Sequence, residues 1–274
     1  MASLSRTGRA ALRSPAGAGP SGAAGYPSPV SDAPTAPHGG SPSILQPDYW
    51  WYRARSEMLQ TVLGPFVGDA RRLLDVGSAD GPSVGWLTAP HKVSLDLDPR
   101  GLRPPGGVCG SLLALPFADG SFEVVSAFDV IEHCEPEGDA LRELHRVLEP
   151  GGRLLASVPA YQWAWSDHDV ANGHHRRYTR PRAAAALEDA GFEVLRATHG
   201  FAGVFPLFVA ERVARAARHR LARRTHRPAD VVDVPEVGPG VERVLLGLCR
   251  LDERVLARRD LPFGSSVFLA AVKP

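Results

Sequence analysis

The first residues able to do chemistry lie in Leu73-Leu74-Asp75-Val76-Gly77-Ser78-Ala79-Asp80-Gly81. An apolar run ends in an acid, and a turn of small residues follows. In an open α/β sheet, ligands sit outside the carboxyl ends of the strands. Gly77 and Gly81 let backbone approach such a ligand with no Cβ in between. Ala79 takes the middle place of a Gly-x-Gly-x-Gly pattern with the smallest side chain that can replace glycine. A tight strand-to-helix turn without a ligand would use the same residues. About twenty residues further on, at the spacing of a dinucleotide-type site, comes Ser94-Leu95-Asp96-Leu97-Asp98. An acid at the end of a second strand accepts hydrogen bonds from ribose hydroxyls. Asp96 is the better candidate. Asp98, ahead of Pro99, could instead open a turn. The two stretches together indicate a nucleoside-bearing cofactor and leave nicotinamide and sulfonium cofactors both open.

A second group of reactive residues follows Val158. Tyr161-Gln162-Trp163-Ala164-Trp165-Ser166-Asp167-His168-Asp169 continues to Gly173-His174-His175-Arg176-Arg177-Tyr178. His168 and His174 are the candidate bases for a protonated acceptor. Tyr161, Trp163 and Tyr178 are expected to shape an acceptor pocket. Arg176 and Arg177 are expected to neutralise an acidic or phosphorylated acceptor. Any one of these histidines, and His133 with them, has a structural reading that stands ahead of the catalytic one. Asp169 with an arginine also reads as an ion pair that ties the loop down. A metal held by His168, Asp169 and His174 is conceivable, but nothing fixes a further ligand, and no metal is expected.

Regular elements must position these groups. Apolar runs at residues 72–76, 92–97, 122–130, 153–158, 192–197 and 266–272 have the length and composition of strands. A helix is expected from Pro82 to Leu87. An amphipathic helix at 139–148 puts Leu141, Leu144 and Leu148 on one face. Another at 180–190 is closed by Gly191. Pro150-Gly151-Gly152 reads as a turn, and the Pro- and Gly-rich span 99–107 has room for little helix. Strands alternating with helices give βαβ units and a mostly parallel sheet with helices on both faces. Upstream, Tyr49-Trp50-Trp51-Tyr52-Arg53-Ala54-Arg55 leads at helical spacing into Met58, Leu59, Val62, Leu63 and Phe66. That helix packs on the domain, or forms a lid that turns its aromatics and Arg53 toward the active site.

A third stretch separates the cofactors. Gly110-Ser111-Leu112-Leu113-Ala114-Leu115-Pro116-Phe117-Ala118-Asp119-Gly120-Ser121-Phe122, then Phe128-Asp129-Val130-Ile131-Glu132-His133, then Leu148-Glu149-Pro150-Gly151-Gly152 resemble, in order and spacing, the motifs of class I S-adenosylmethionine-dependent methyltransferases. The resemblance covers residues 48–200 and the last strand. It implies a Rossmann-like, seven-stranded, mostly parallel α/β sheet with a helical insertion before the last strand. By position it places Asp75, Gly77, Ser78, Ala79 and Gly81 around the amino-acid portion of S-adenosylmethionine. It gives the ribose to Asp96 and the adenine ring to Leu97, Ser111 and the Leu112 N–H. Phe128 lies near the methionine end. Ser111 stands where the family often has an Asp; serine still accepts a hydrogen bond but carries no charge. The implied reaction is methyl transfer to an O or N acceptor of a small, lipid- or sugar-linked molecule. The alternative from another class is a degenerate, non-catalytic module that acts through a protein partner; a dehydrogenase is more distant.

The 274 residues carry a net charge of +1, which gives no push toward nucleic acid. Cys109, Cys134 and Cys249 lack CxxC spacing and read as reduced thiols of a cytoplasmic protein. The excess of Arg, Ala, Gly and Pro over Lys fits a GC-rich bacterial genome. Residues 1–47, rich in Ser, Gly, Pro and Ala, are expected to be a disordered tail, and 48–274 the catalytic domain. Within it, residues 201–261 form the insertion. Its apolar start, Phe201 to Ala210, precedes Arg212, Arg215, Arg218, Arg220, Arg223, Arg224 and Arg227. A core-capping helix with a solvated basic face is the first reading. Peripheral membrane contact through 201–227 is the second and RNA contact the last. Val241, Val244, Leu245, Leu248, Leu251 and Val255 form a stripe expected to cover the sheet or a partner.

Overall fold

The computed structural model describes residues 48–77, 81, 84–99, 102, 106–221 and 237–274, with the side chains of 216 and 218–221 left aside. The expected tail at 1–47, the cofactor roles of Ser78 and Ala79, and Arg223, Arg224 and Arg227 lie outside the described residues.

The strands are β1 Arg72–Val76, β2 His91–Asp96, β3 Gly107–Cys109, β4 Phe122–Phe128, β5 Leu148–Pro159, β6 Glu193–Gly200 and β7 Ser266–Val272. The helices are α1 Trp50–Leu63, α2 Glu137–Val147, α3 Asp167–Ala171, α4 Arg180–Asp189, α5 Phe205–Leu221 and α6 Pro239–Leu256. The sheet runs β3-β2-β1-β4-β5-β7-β6. Its strands pair in parallel, except that β7 enters antiparallel between β5 and β6. This is the seven-stranded, mostly parallel architecture expected.

Alternation along each strand splits the core into two layers. Leu74, Val125 and Leu154 face one side, where they meet Leu141 and Leu144 of α2 and Leu187 of α4. Leu73, Val124, Leu155 and Phe268 face the other, where they meet Met58, Leu59 and Val62 of α1 and Cys249 and Leu256 of α6. Strands buried on both faces are near-continuously apolar, which is why β1, β4 and β7 were visible in the sequence.

Three local expectations are corrected. The helix at 82–87 is absent from the described residues. Val84 N–H bonds to Gly81 and Leu87 N–H to Val84, successive three-residue turns rather than α-helix. Only the stretch from Gly77 to Pro90 separates β1 from β2, and it contains Gly81, Pro82 and Gly85. Pro150-Gly151-Gly152 is a bulge inside β5, not a turn. Gly151 takes φ 79°, and the Gly151 N–H donates to the Lys273 carbonyl while the Lys273 N–H donates to Gly152. On α6 the buried face is Leu245, Cys249, Asp252 and Leu256. Val241, Val244 and Leu251 are exposed. The Asp252 carboxylate sets that rotation by accepting the Gly203 N–H on both oxygens, at 3.1 and 2.9 Å.

Candidate active site

The carboxyl ends of β1, β2, β4 and β5 open on one edge of the sheet, where the chain switches direction between β1 and β4. Asp75 is fully buried and accepts the Ser126 hydroxyl at 2.6 Å. Gly77 follows with φ 78°, and a Cβ there would lie 2.3 Å from Val130 Cγ2. Its N–H donates to the Leu95 carbonyl at 2.7 Å, so β1 and β2 leave the sheet together. The position admits no side chain.

At the end of β2 the Asp96 carboxylate is half-buried and accepts the Asp98 N–H at 2.9 Å. Desolvation pushes its pKa up, against hydrogen bonds from the Asp98 and Leu97 backbone. Asp98 is thus the partner in a turn rather than a rival site. Leu97 is 72% exposed beside it, an apolar surface next to a carboxylate. The loop after β3 is held from below. Arg146 of α2 donates to the Leu115 and Phe117 carbonyls at 3.0 and 2.7 Å, and Glu143 accepts the Leu115 N–H at 2.7 Å. Within that loop the Ser111 hydroxyl accepts the Leu113 N–H at 3.1 Å, and Leu112 is buried. Phe128 stacks on Trp86, ring centroids 6.3 Å apart.

Several groups converge at the end of β4 that sequence reasoning did not assign. Asp129 has φ 56°. It accepts the Ser157 hydroxyl at 3.0 Å and pairs with Arg55 of α1 at 2.8 Å. Arg55 is buried and stacks on Trp51, whereas Arg53, the residue expected to face the site, points outward toward Glu242. Glu132 is fully buried, and neither carboxylate oxygen has a partner on another described residue. Burial and the nearby Asp129 charge push its pKa well up. Partial desolvation and the neighbouring His174 pull the His133 pKa down to about 4. The signal for Asp129 and Glu132 lay in the segment after β4. Nothing in the aromatic run around Arg55 marked it out.

The loop after β5 divides the remaining candidates. Asp169 closes a capping box with Ser166 at the start of α3. It receives Arg177 at 2.7 and 3.1 Å and pairs with His174 Nδ1 at 2.9 Å. Burial works against the Asp169 charge, yet these bonds from His174 and Arg177 hold the carboxyl well below the usual range. Arg177, expected to meet an acceptor, is instead buried in this ion pair, so the tie-down reading describes its geometry. Arg176 is likewise taken, donating to the Cys134 carbonyl and pairing with Glu135 and Glu137. Tyr178 is 2% exposed with its hydroxyl on Glu137 at 2.7 Å, a core residue and not a pocket wall. Tyr161 and Trp163 stack at 5.7 Å and meet Phe205 of α5, which also contacts Phe208 and Phe263. His168 is half-buried beside His174, and desolvation lowers its pKa. Arg212 of α5 turns inward under Phe208, with its charge near Asp169 and its pKa lowered by burial. The basic stretch is therefore not one solvated face.

Comparison with known proteins adds the family context. Residues 74–156 match the family described as methyltransferase domain. A protein of Mycolicibacterium smegmatis, named "probable S-adenosylmethionine-dependent methyltransferase", is 30% identical over 56% of this chain and 63% of its own. The malonyl-acyl-carrier-protein O-methyltransferase of Herminiimonas arsenicoxydans is 35% identical over 44% of this chain and 52% of its own. This chain thus spans less than two thirds of either relative. Among solved structures, the cyclase SpnF has a TM-score of 0.50 at 24% identity, over 80% of each chain; that likeness concerns the fold alone.

Proposed function

We propose, from the premise that the chain belongs to the class I S-adenosylmethionine-dependent methyltransferase family, that it transfers a methyl group from S-adenosylmethionine to an O or N acceptor of a small molecule. The observation that carries this is the pairing of a side-chain-free Gly77 with the Asp96 carboxylate and exposed Leu97 along one crevice. When bound, the cofactor supplies an activated methyl group, so the protein has mainly to bind, align and exclude water. In this reading Asp75, Gly77 and Gly81 border the amino-acid portion, and Asp96 accepts the ribose hydroxyls. Leu97 packs on the adenine. Ser111 and the Leu112 backbone border its edge, with Ser111 already accepting from Leu113. Phe128 closes the methionine end.

The acceptor side is assigned to the wall of Tyr161, Trp163, Phe205 and Phe208. Its aromatic character, with Trp163 55% exposed, suits an apolar or lipid-linked acceptor better than a free sugar. His168 is assigned as the base, with its ring 6.2 Å from that of His174. Arg212 replaces Arg176 and Arg177 as the cation nearest this wall. Among the described residues no helix is long and apolar enough to cross a membrane. The exposed Leu207 and Val213 of α5 keep surface contact with a lipid phase as part of the proposal.

A non-catalytic or differently catalytic module is the second reading, favoured by the fold shared with a cyclase, since a fold hosts several chemistries. Calorimetric titration of S-adenosylhomocysteine into the folded full chain, together with a label-transfer assay, separates the two. Binding at micromolar concentration, followed by label transfer from methyl-labelled donor to an acceptor, is the expected result. No binding at millimolar ligand would overturn the assignment.

A further inference from the structure

We propose that the chain binds a divalent transition-metal ion of the Zn²⁺ class through Glu132, His133 and His174. The turn Ile131–His133 that leaves β4 and the loop that follows α3 bring these residues together. One ligand atom from each lies within 4.8 Å of the others. The imidazoles of His133 and His174 meet edge to face at 4.6 Å. Tetrahedral ligands about 2.0–2.2 Å from a metal stand roughly 3.3 Å apart, so the set has to draw together by at most about 1.5 Å to hold an ion.

Two independent features make this more than a cluster. Glu132 is fully buried with no partner for either oxygen on another described residue. A buried carboxylate is normally paired or bound to a metal. The histidines are also oriented from behind, as metal-bound histidines are. Nδ1 of His174 is held at 2.9 Å by Asp169, which is itself fixed by Arg177, so Nε2 carries the lone pair. The His133 ring hydrogen-bonds the Asn172 backbone, which leaves its other nitrogen available. Two imidazoles and one carboxylate suit Zn²⁺ and its first-row neighbours, whereas Mg²⁺ and Ca²⁺ demand oxygen ligands. Three protein ligands leave one position of a tetrahedral set open.

This revises the expectation that no metal is held and alters its ligands. In the trio His168, Asp169 and His174, both Asp169 oxygens are committed to Arg177, and it serves as the outer carboxylate of His174. The inference does not depend on methyl transfer, and its test does not measure it.

The test uses tag-free full-length protein, stripped with chelator and titrated with Zn²⁺ against a chromophoric competitor, then with Co²⁺ read by its visible absorption. About one equivalent of Zn²⁺ should bind at micromolar or lower concentration, and Co²⁺ should develop ligand-field bands. Glu132→Gln and His133→Ala should each weaken Zn²⁺ at least about 100-fold, while His175→Ala, at an exposed neighbour outside the set, should bind as wild type. His133 is exposed, so its variant stays decisive should Glu132→Gln fail to fold by circular dichroism. Wild-type binding no tighter than millimolar, or binding unaffected by His133→Ala, would overturn the proposal.

Discussion

The Arg55 guanidinium lies 2.8 Å from the Asp129 carboxylate and 2.9 Å from the Ser157 hydroxyl, tying α1 to the ends of β4 and β5. Arg55 is 6% exposed, so its removal leaves Asp129 at φ 56° with its charge poorly compensated. Asp129 is partly open to solvent, which lowers the cost below that of a fully buried pair. Arg55→Ala should cost about 2–3 kcal/mol, seen as a fall of about 4–12 °C in Tm. Arg55→Lys should fall between, because Nη2 alone makes both contacts but the shorter lysine loses the guanidinium stacking on Trp51. An unchanged Tm for Arg55→Ala would show that α1 is held by its apolar face alone.

At the end of β2, Asp96→Ala should weaken S-adenosylhomocysteine by about 1–3 kcal/mol, or roughly 5- to 150-fold in Kd, through loss of charge-assisted bonds. Titration calorimetry reads this directly. A Kd equal to that of wild type moves the ribose away from Asp96.

Gly77→Ala tests the crevice itself. The added Cβ meets Val130 at 2.3 Å, and the backbone stands at φ 78°. The combined strain and overpacking should cost about 2–4 kcal/mol of stability. Cofactor binding should also fall, because Val130 or the turn must move into the crevice. Retention of both stability and binding would mean that the β1 turn is free to relax without affecting its ligand.

The contact between α1 and α6 carries a pH dependence. Burial, with Glu57 nearby, pushes the Glu253 carboxyl from its ordinary 4.5 up to about 7. The folded state therefore binds this proton more tightly than the unfolded state. The contribution is fully present below about pH 4.5 and is lost as pH rises through about 7. Solvent screening leaves about 1 kcal/mol of it, or about 2–4 °C in Tm between pH 5 and pH 8. Glu253→Gln should flatten that part of the curve. A Tm difference between wild type and Glu253→Gln that moves in favour of wild type as pH rises across this window would give the opposite sign.

Short-range chemistry made the sheet legible in the sequence. β1, β4 and β7 are buried on both faces, so they had to be apolar runs. Gly77 and Asp96 stand at strand ends that the βαβ alternation located. The ordered motifs from Gly110 to Gly152 indicated the cofactor class from local sequence alone. Sequence by itself could not decide which side chains the fold had already used. Arg177 and Tyr178 look like ligand groups in a line of text, but 8 and 41 residues away stand Asp169 and Glu137, which engage them. Conversely, Glu132 stood in the sequence only as one member of the Phe128–His133 segment, with no role of its own. It acquires meaning only when β4, β5 and the loop after α3 converge around it and leave its oxygens without a partner on another described residue. The same holds for Arg55, whose partner Ser157 is 102 residues away. Periodicity and turn chemistry act over a few residues and are written locally. Burial and charge pairing depend on chain closure between distant strands, so only the tertiary structure decides them.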